Sequence, residues 1–124
     1  MQRDDEDYAG DMLDMATKAL AIAEGKSREE FDADEVLGLA LLHLIQHVGE
    51  AASRTTPAYR AMHNEVAWER IVGMRHRLVH DYLEVDWDVV WEVLTIHLGE
   101  LVKKLERFDP PVEPDRDSRS TDLP

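Results

Sequence analysis

The feature that most constrains this chain is the run from Val36 to Val48, where only His43, Gln46 and His47 interrupt apolar or small residues. With Asp34 as its cap and an end near Ser53, the run reads as a helix that is apolar almost all round. A helix with no wet face needs cover on every side, and in 124 residues the remaining helices can hardly supply it. The expectation is an all-α bundle that forms a homodimer, with Leu41, Leu44 and Ile45 between two copies.

Helical spacing recurs on both sides of that run. Tyr8, Met12, Met15, Ala16, Ala19, Leu20 and Ala23 place a first helix over roughly 5–24, with Gly25 as its stop and a polar connection from Ser27 to Asp32. Thr55-Thr56-Pro57 supplies a break, a cap and a first-turn proline for a short helix through Met62. Trp68, Ile71, Val72, Met74, Leu78 and Val79 predict one helix over about 66–80. Asp86 caps a last helix, whose stripe of Val90, Leu94, Leu98, Leu101 and Leu105 runs to Phe108. No segment sustains the two-residue alternation of a strand. The result is one domain of four to five helices over 1–108, followed by a tail over 109–124 whose four prolines among charges predict disorder.

The absence of cysteine removes disulfides and thiolate metal sites, which fits a reducing cytoplasm and equally a secreted protein that needs no bridges. The start, Met1 to Asp7, is acidic where a signal peptide would be basic and then apolar, and no apolar run approaches the roughly 20 residues of a membrane span. A soluble, cytoplasmic protein with no membrane partner is expected. The net charge of −13 weighs against nucleic acid, which is bound through Lys and Arg. Its distribution weakens that objection. Residues 1–35 carry 12 acids against 4 bases, whereas 36–105 carry 9 against 7 and all six histidines. Arg70, Arg75, His76, Arg77 and His80 fall within eleven positions, which is compatible with a local basic site on an acidic protein; the alternative is that the acidic ends meet a basic partner.

The chain has no glycine-rich phosphate loop and no Gly-x-Ser-x-Gly elbow, which leaves nucleotide hydrolysis and serine-hydrolase chemistry without support. His43, His47 and Glu50 share one face of the second helix, a geometry open to a metal. Di-metal bundles, however, use Glu-x-x-His with the glutamate first, an order that occurs nowhere in the chain. Histidines at a hydrogen-bonded interface are therefore favoured, and no metal or cofactor is expected. Trp68, Trp87 and Trp91 sit at helical positions that favour packing over base stacking.

The remaining constellation is Arg75-His76-Arg77-Leu78-Val79-His80-Asp81-Tyr82. On a helix His76 and His80 share a face, and the Arg75 side chain is long enough to reach it. A neutral histidine can take the proton of a ribose 2′-hydroxyl while a guanidinium holds the phosphate, which is RNA cleavage without a metal. The plainer alternative pairs Arg75 with Glu69 or Asp81 and leaves the histidines as helix-end cations.

The stretch Trp68 to Tyr82 resembles the signature of HepT-type toxins of the HEPN superfamily: an arginine, four to six residues, a histidine, any residue and a tyrosine. Arg75, His80 and Tyr82 match it with a spacing of four. The likeness extends forward through Val85-Asp86-Trp87-Asp88-Val89-Val90-Trp91 and back to Val48-Gly49-Glu50-Ala51-Ala52, covering roughly 10–107. It implies a HEPN-like dimer whose two motifs face one cleft, cutting RNA such as tRNA or mRNA without a metal, with Arg75 and His80 catalytic. His76 stands in a supporting role where asparagine is commonest. It also implies a toxin–antitoxin partner, an MntA-like minimal nucleotidyltransferase that silences the toxin by adenylylating Tyr82. A second reading is a catalytically silent bundle that only docks the nucleotidyltransferase.

Overall fold

The computed structural model describes residues 3–81 and 84–108. Tyr82, and the tail for which disorder is expected, lie outside the described residues. Helix α1 spans Asp5–Ala23 and opens on a reciprocal cap, in which the Asp4 carboxylate accepts from the Asp7 N–H at 2.9 Å and Asp7 returns the bond at 3.1 Å. It stops before Gly25, whose φ of +78° suits a residue without Cβ. The polar connection expected next contains a helix, α2, Arg28–Ala33. Ser27 and Glu30 cap it reciprocally, and its one buried side chain, Phe31, is too little for a periodicity to register.

Helix α3, Glu35–Ser53, starts at Asp34 as read from the sequence. Beyond it Thr56 donates to the Asp5 carboxylate through both its N–H and its hydroxyl, each at 2.8 Å. The start of α1 thus meets the end of α3, and the two nineteen-residue helices run antiparallel. Thr56 also caps α4, Pro57–Met62.

The single helix expected over 66–80 is three elements. Helices α5, Trp68–Val72, and α6, Met74–Leu78, meet at Gly73, where ψ of −2° leaves the helical range. A short hairpin then pairs β1, Val79–Asp81, with β2, Glu84–Val85, in antiparallel register. Helix α7, Trp87–Glu92, is capped by Asp86 as expected, but the last helix is not uniform. A π-helical turn, Val93–His97, separates α7 from α8, Leu98–Glu106.

The core corrects the expected dimer interface. Leu41, Leu44 and Ile45 are 0%, 7% and 0% exposed within one copy of the chain. Met12, Ala16 and Ala19 of α1 are fully buried, and the small alanine side chains let α1 and α3 approach closely. What α3 leaves in solvent is a narrower stripe through Val36, Leu39, His43 and His47. By length and composition α3 is apolar enough to cross a membrane, which corrects the expectation that no run comes close. Half of it is buried in the bundle, so its apolar side chains serve as core. The tryptophans pack as expected: Trp68 is buried with its indole N–H on the His63 carbonyl, and Trp87 and Trp91 flank Phe31 at 5.7 and 5.1 Å.

Candidate functional site

Arg75 owes its position to a close approach of α6 to α3. A Cβ on Gly49 would stand 3.2 Å from the Ile71 carbonyl and 3.9 Å from the Arg75 Cγ, so the missing side chain is what lets the segments meet. The next residue, Glu50, receives the guanidinium, with Arg75 Nη1 3.4 Å from its Oε1. Of the partners considered from sequence, Glu69 makes no ion pair with this arginine, and the Asp81 side chain lies outside the described residues. Arg75 remains 60% exposed, and Glu50 is also held by Arg54 at 3.1 Å. An ion pair so open is worth no more than about 1 kcal/mol, and an anion with more charge can displace the carboxylate.

Arg75 and Glu50 close one side of an open hollow of about 260 Å³, whose other walls are His43, Gln46 and His47. The two imidazole rings stand edge to face with centroids 5.2 Å apart. Among the described residues no group of three His, Cys, Asp or Glu side chains is arranged to hold a metal ion. The shared face of His43, His47 and Glu50 is therefore a wall of the arginine's hollow.

His80 lies on β1, so helical spacing does not relate it to His76 on α6. Its Nε2 is 3.4 Å from Oδ2 of Asp86. The same carboxylate caps α7 by accepting the Val89 N–H at 3.1 Å, and the Asp86 N–H closes the hairpin on the Leu78 carbonyl at 2.7 Å. The Val89 N–H, followed by His80, holds the Asp86 carboxyl below its ordinary value of 3.8. Asp86 is thus ionised at neutral pH and must accept, so Nε2 presents its proton to the carboxylate, and among the described residues no hydrogen bond engages Nδ1. Sequence reasoning found Asp86 only as a cap; nothing in a helix-start signal tells that its second oxygen meets a histidine six residues upstream.

The His76 backbone N–H donates to the Gly73 carbonyl at 3.1 Å, and its exposed imidazole makes no hydrogen bond or ion pair with another described residue. No such contact joins Arg75 to His80 either, so within one chain each is held by its own carboxylate.

Asp86 makes a pH prediction. A carboxyl depressed on folding contributes stability above its unfolded pKa and loses it as pH falls through the folded value. Stability should therefore decline below about pH 4, and the decline should be shallower in Asp86→Asn, which still offers an oxygen to Val89. Urea midpoints measured from pH 7 to 2.5 check this; an unchanged slope in the variant would remove Asp86 as the titrating group.

The family model described as Ribonuclease HepT-like matches residues 12–108. A provisionally named RNase of Caldanaerobacter subterraneus subsp. tengcongensis is 34% identical over 84 residues, covering 68% of this chain and 75% of that protein. A provisionally named HepT ribonuclease of Thermococcus cleftensis is 27% identical over 112 residues, covering 87% and 98%. A provisionally named RNase of Methanocaldococcus jannaschii is 24% identical over 112 residues, covering 90% and 93%. No solved structure matches significantly. A family match over most of the domain, on an all-α chain that exposes Arg75 and His80 beside carboxylates, leads to one assignment: this chain belongs to the HepT-like ribonuclease family.

Proposed function

We propose that this ribonuclease is the cytoplasmic toxin of a toxin–antitoxin pair, cutting RNA without a metal through Arg75 and His80. The observation that carries the reading is His80 held by an ionised Asp86, which leaves Nδ1 as a base and stabilises the imidazolium formed after it takes the 2′-hydroxyl proton. Arg75, displaced from Glu50 by the phosphate, holds the developing negative charge. The attacking 2′-oxygen then expels the 5′-oxygen, which receives a proton from an imidazolium. Within one chain no contact joins the two side chains, and a homodimer that brings two such sets to one cleft supplies the second histidine. His76, exposed near Arg75 in sequence, supports the RNA backbone.

The dimer is proposed along the part of α3 that its own chain leaves open. Val36 is 78% and Leu39 49% exposed, so Leu39→Asp should give monomers with the helical content unchanged. Charge at Leu44 would not test this, because Leu44 is core. Light scattering at micromolar concentration decides: a wild-type monomer sinks the dimer.

Control is proposed at Tyr82, where an MntA-like nucleotidyltransferase antitoxin would attach AMP. Phosphate placed two residues past His80 would compete for Arg75 and occupy the space of the RNA backbone. Expression of the chain alone should arrest growth, and co-expression of an adjacent nucleotidyltransferase should relieve it with a mass increase mapped to Tyr82 and lost in Tyr82→Phe. Relief without any adduct would show that the partner acts by binding. A harmless chain that is modified all the same would favour the silent docking bundle.

A further inference from the structure

On the other side of α6 a second group of basic residues is left unused by the site above. Arg70 of α5, Arg77 of α6, His97 of the π-helical turn and Lys104 of α8 line one pocket of about 130 Å³. Its inner surface is apolar where the buried side chains of Met74 and Leu98 reach it. Arg70 and Lys104 make no ion pair with any described residue, although Glu100 contributes a carboxylate to the lining. In a chain of net charge −13, unbalanced cations around an apolar recess call for an anionic ligand with a hydrophobic part.

The π-helical turn builds this pocket. Five residues subtend about 140° on an α-helix, which would keep Glu92 and His97 apart. Wound with i→i+5 bonds, the same five residues come round to little more than one full turn, and His97 Nε2 lies 2.9 Å from Glu92 Oε2. Arg77 Nη2 stands 4.0 Å from the same oxygen. The His97 hydrogen bond above all, then the charges of Arg77 and Arg70, hold the Glu92 carboxyl below the ordinary range, so an anionic Glu92 anchors the His97 ring and the Arg77 guanidinium at the pocket's edge.

We propose that this pocket binds a nucleotide carrying a single-ring base, the ring in the apolar recess and the phosphate against Arg70, Arg77 and Lys104. Size favours one ring over two: a dry cavity of about 150 Å³ holds benzene, and this recess, which is partly open to solvent, measures about 130 Å³. The planar guanidinium fork matches phosphate oxygens, and Lys104 adds a point charge. Phosphate alone would leave the recess empty, and an uncharged ring would leave the cations unused. A free pyrimidine nucleotide and a nucleotide within an RNA chain present this same chemistry.

The test is calorimetric titration of the full chain with UMP, AMP, inorganic phosphate and 2′-O-methyl oligouridylate, which cannot be cleaved. UMP should bind at least ten-fold more tightly than AMP or phosphate. Arg77→Ala should weaken it roughly 10- to 100-fold, the loss of a charged hydrogen bond. Ala67→Phe, an exposed position on the pocket lining, should block UMP with helical content unchanged. Oligouridylate binding with the same sensitivity to both variants assigns the pocket to an RNA strand, and binding confined to UMP assigns it to the free nucleotide; either supports the proposal. No UMP binding at millimolar concentration, equal affinity for phosphate and UMP, or binding that ignores both variants would overturn it. Since every readout is binding, an inactive nuclease site would not mimic failure.

Discussion

Arg75→Ala and His80→Ala should each lower RNA cleavage by roughly 10²- to 10⁴-fold while the circular dichroism spectrum stays that of the wild type. Both side chains are more than half exposed and contribute no core, so the loss cannot be routed through unfolding. The two effects should differ in kind. Removal of the imidazole deletes the base and should flatten the acid limb of the pH–rate profile, whereas removal of the guanidinium should leave that limb in place and weaken the salt dependence of RNA binding. Excess EDTA should change neither rate. Cleavage that survives His80→Ala, or stops with EDTA, would move attention to the hollow lined by His43 and His47.

The second large effect is expected at Leu78, fully buried at the end of α6 between the two site residues. Leu78→Ala should cost about 2–5 kcal/mol, the lost transfer energy of the side chain plus the cavity left behind. For a domain of this size that corresponds to a melting temperature lower by roughly 10–20 °C. Leu78→Met keeps the volume and should cost under about 1.5 kcal/mol. Since the Leu78 carbonyl accepts the Asp86 N–H, cleavage at 25 °C should fall with Ala and hold with Met. A stable but inactive Ala variant would place Leu78 in the site's geometry; an unstable but fully active one would confine it to the core.

What could be read from the sequence was what local chemistry decides. Asp34, Thr56 and Asp86 cap the helices they were expected to cap, because a short oxygen-bearing side chain before an apolar run has a bonding role that needs no tertiary information. The bounds of α1 and α3 followed from periods long enough to count. The three elements from Trp68 to Asp81 did not, since five-residue helices and a bulged hairpin are shorter than the window in which a period can be recognised. The tertiary partners of the site were illegible for a different reason. Glu50 meets Arg75 across 25 residues only because Gly49 lets α6 come down on α3, and Asp86 faces His80 only because the hairpin turns the chain back. The choice of interface residues went astray on the same point: Leu41 and Ile45 need cover, but sequence does not say that α1 provides it.

The modest length of the elements that carry Arg75 and His80 has a consequence for how the enzyme fails. Glu50 rides on a nineteen-residue helix packed along α1, while the two site residues sit on pieces of three and five residues. Helices that short do not hold their own shape in water, and their order is borrowed from Trp68, Met74 and Leu78 seated in the core. Such a segment opens at a lower free energy than the whole domain. Under heat or denaturant the chain should lose the arrangement of Arg75 and His80 while the α1–α3 pair is still closed; if these residues carry the proposed cleavage, activity should end before the most apolar surface is released. Substitutions confined to this segment can then retune how often the site is assembled, at little cost to the bundle that keeps the protein from aggregating.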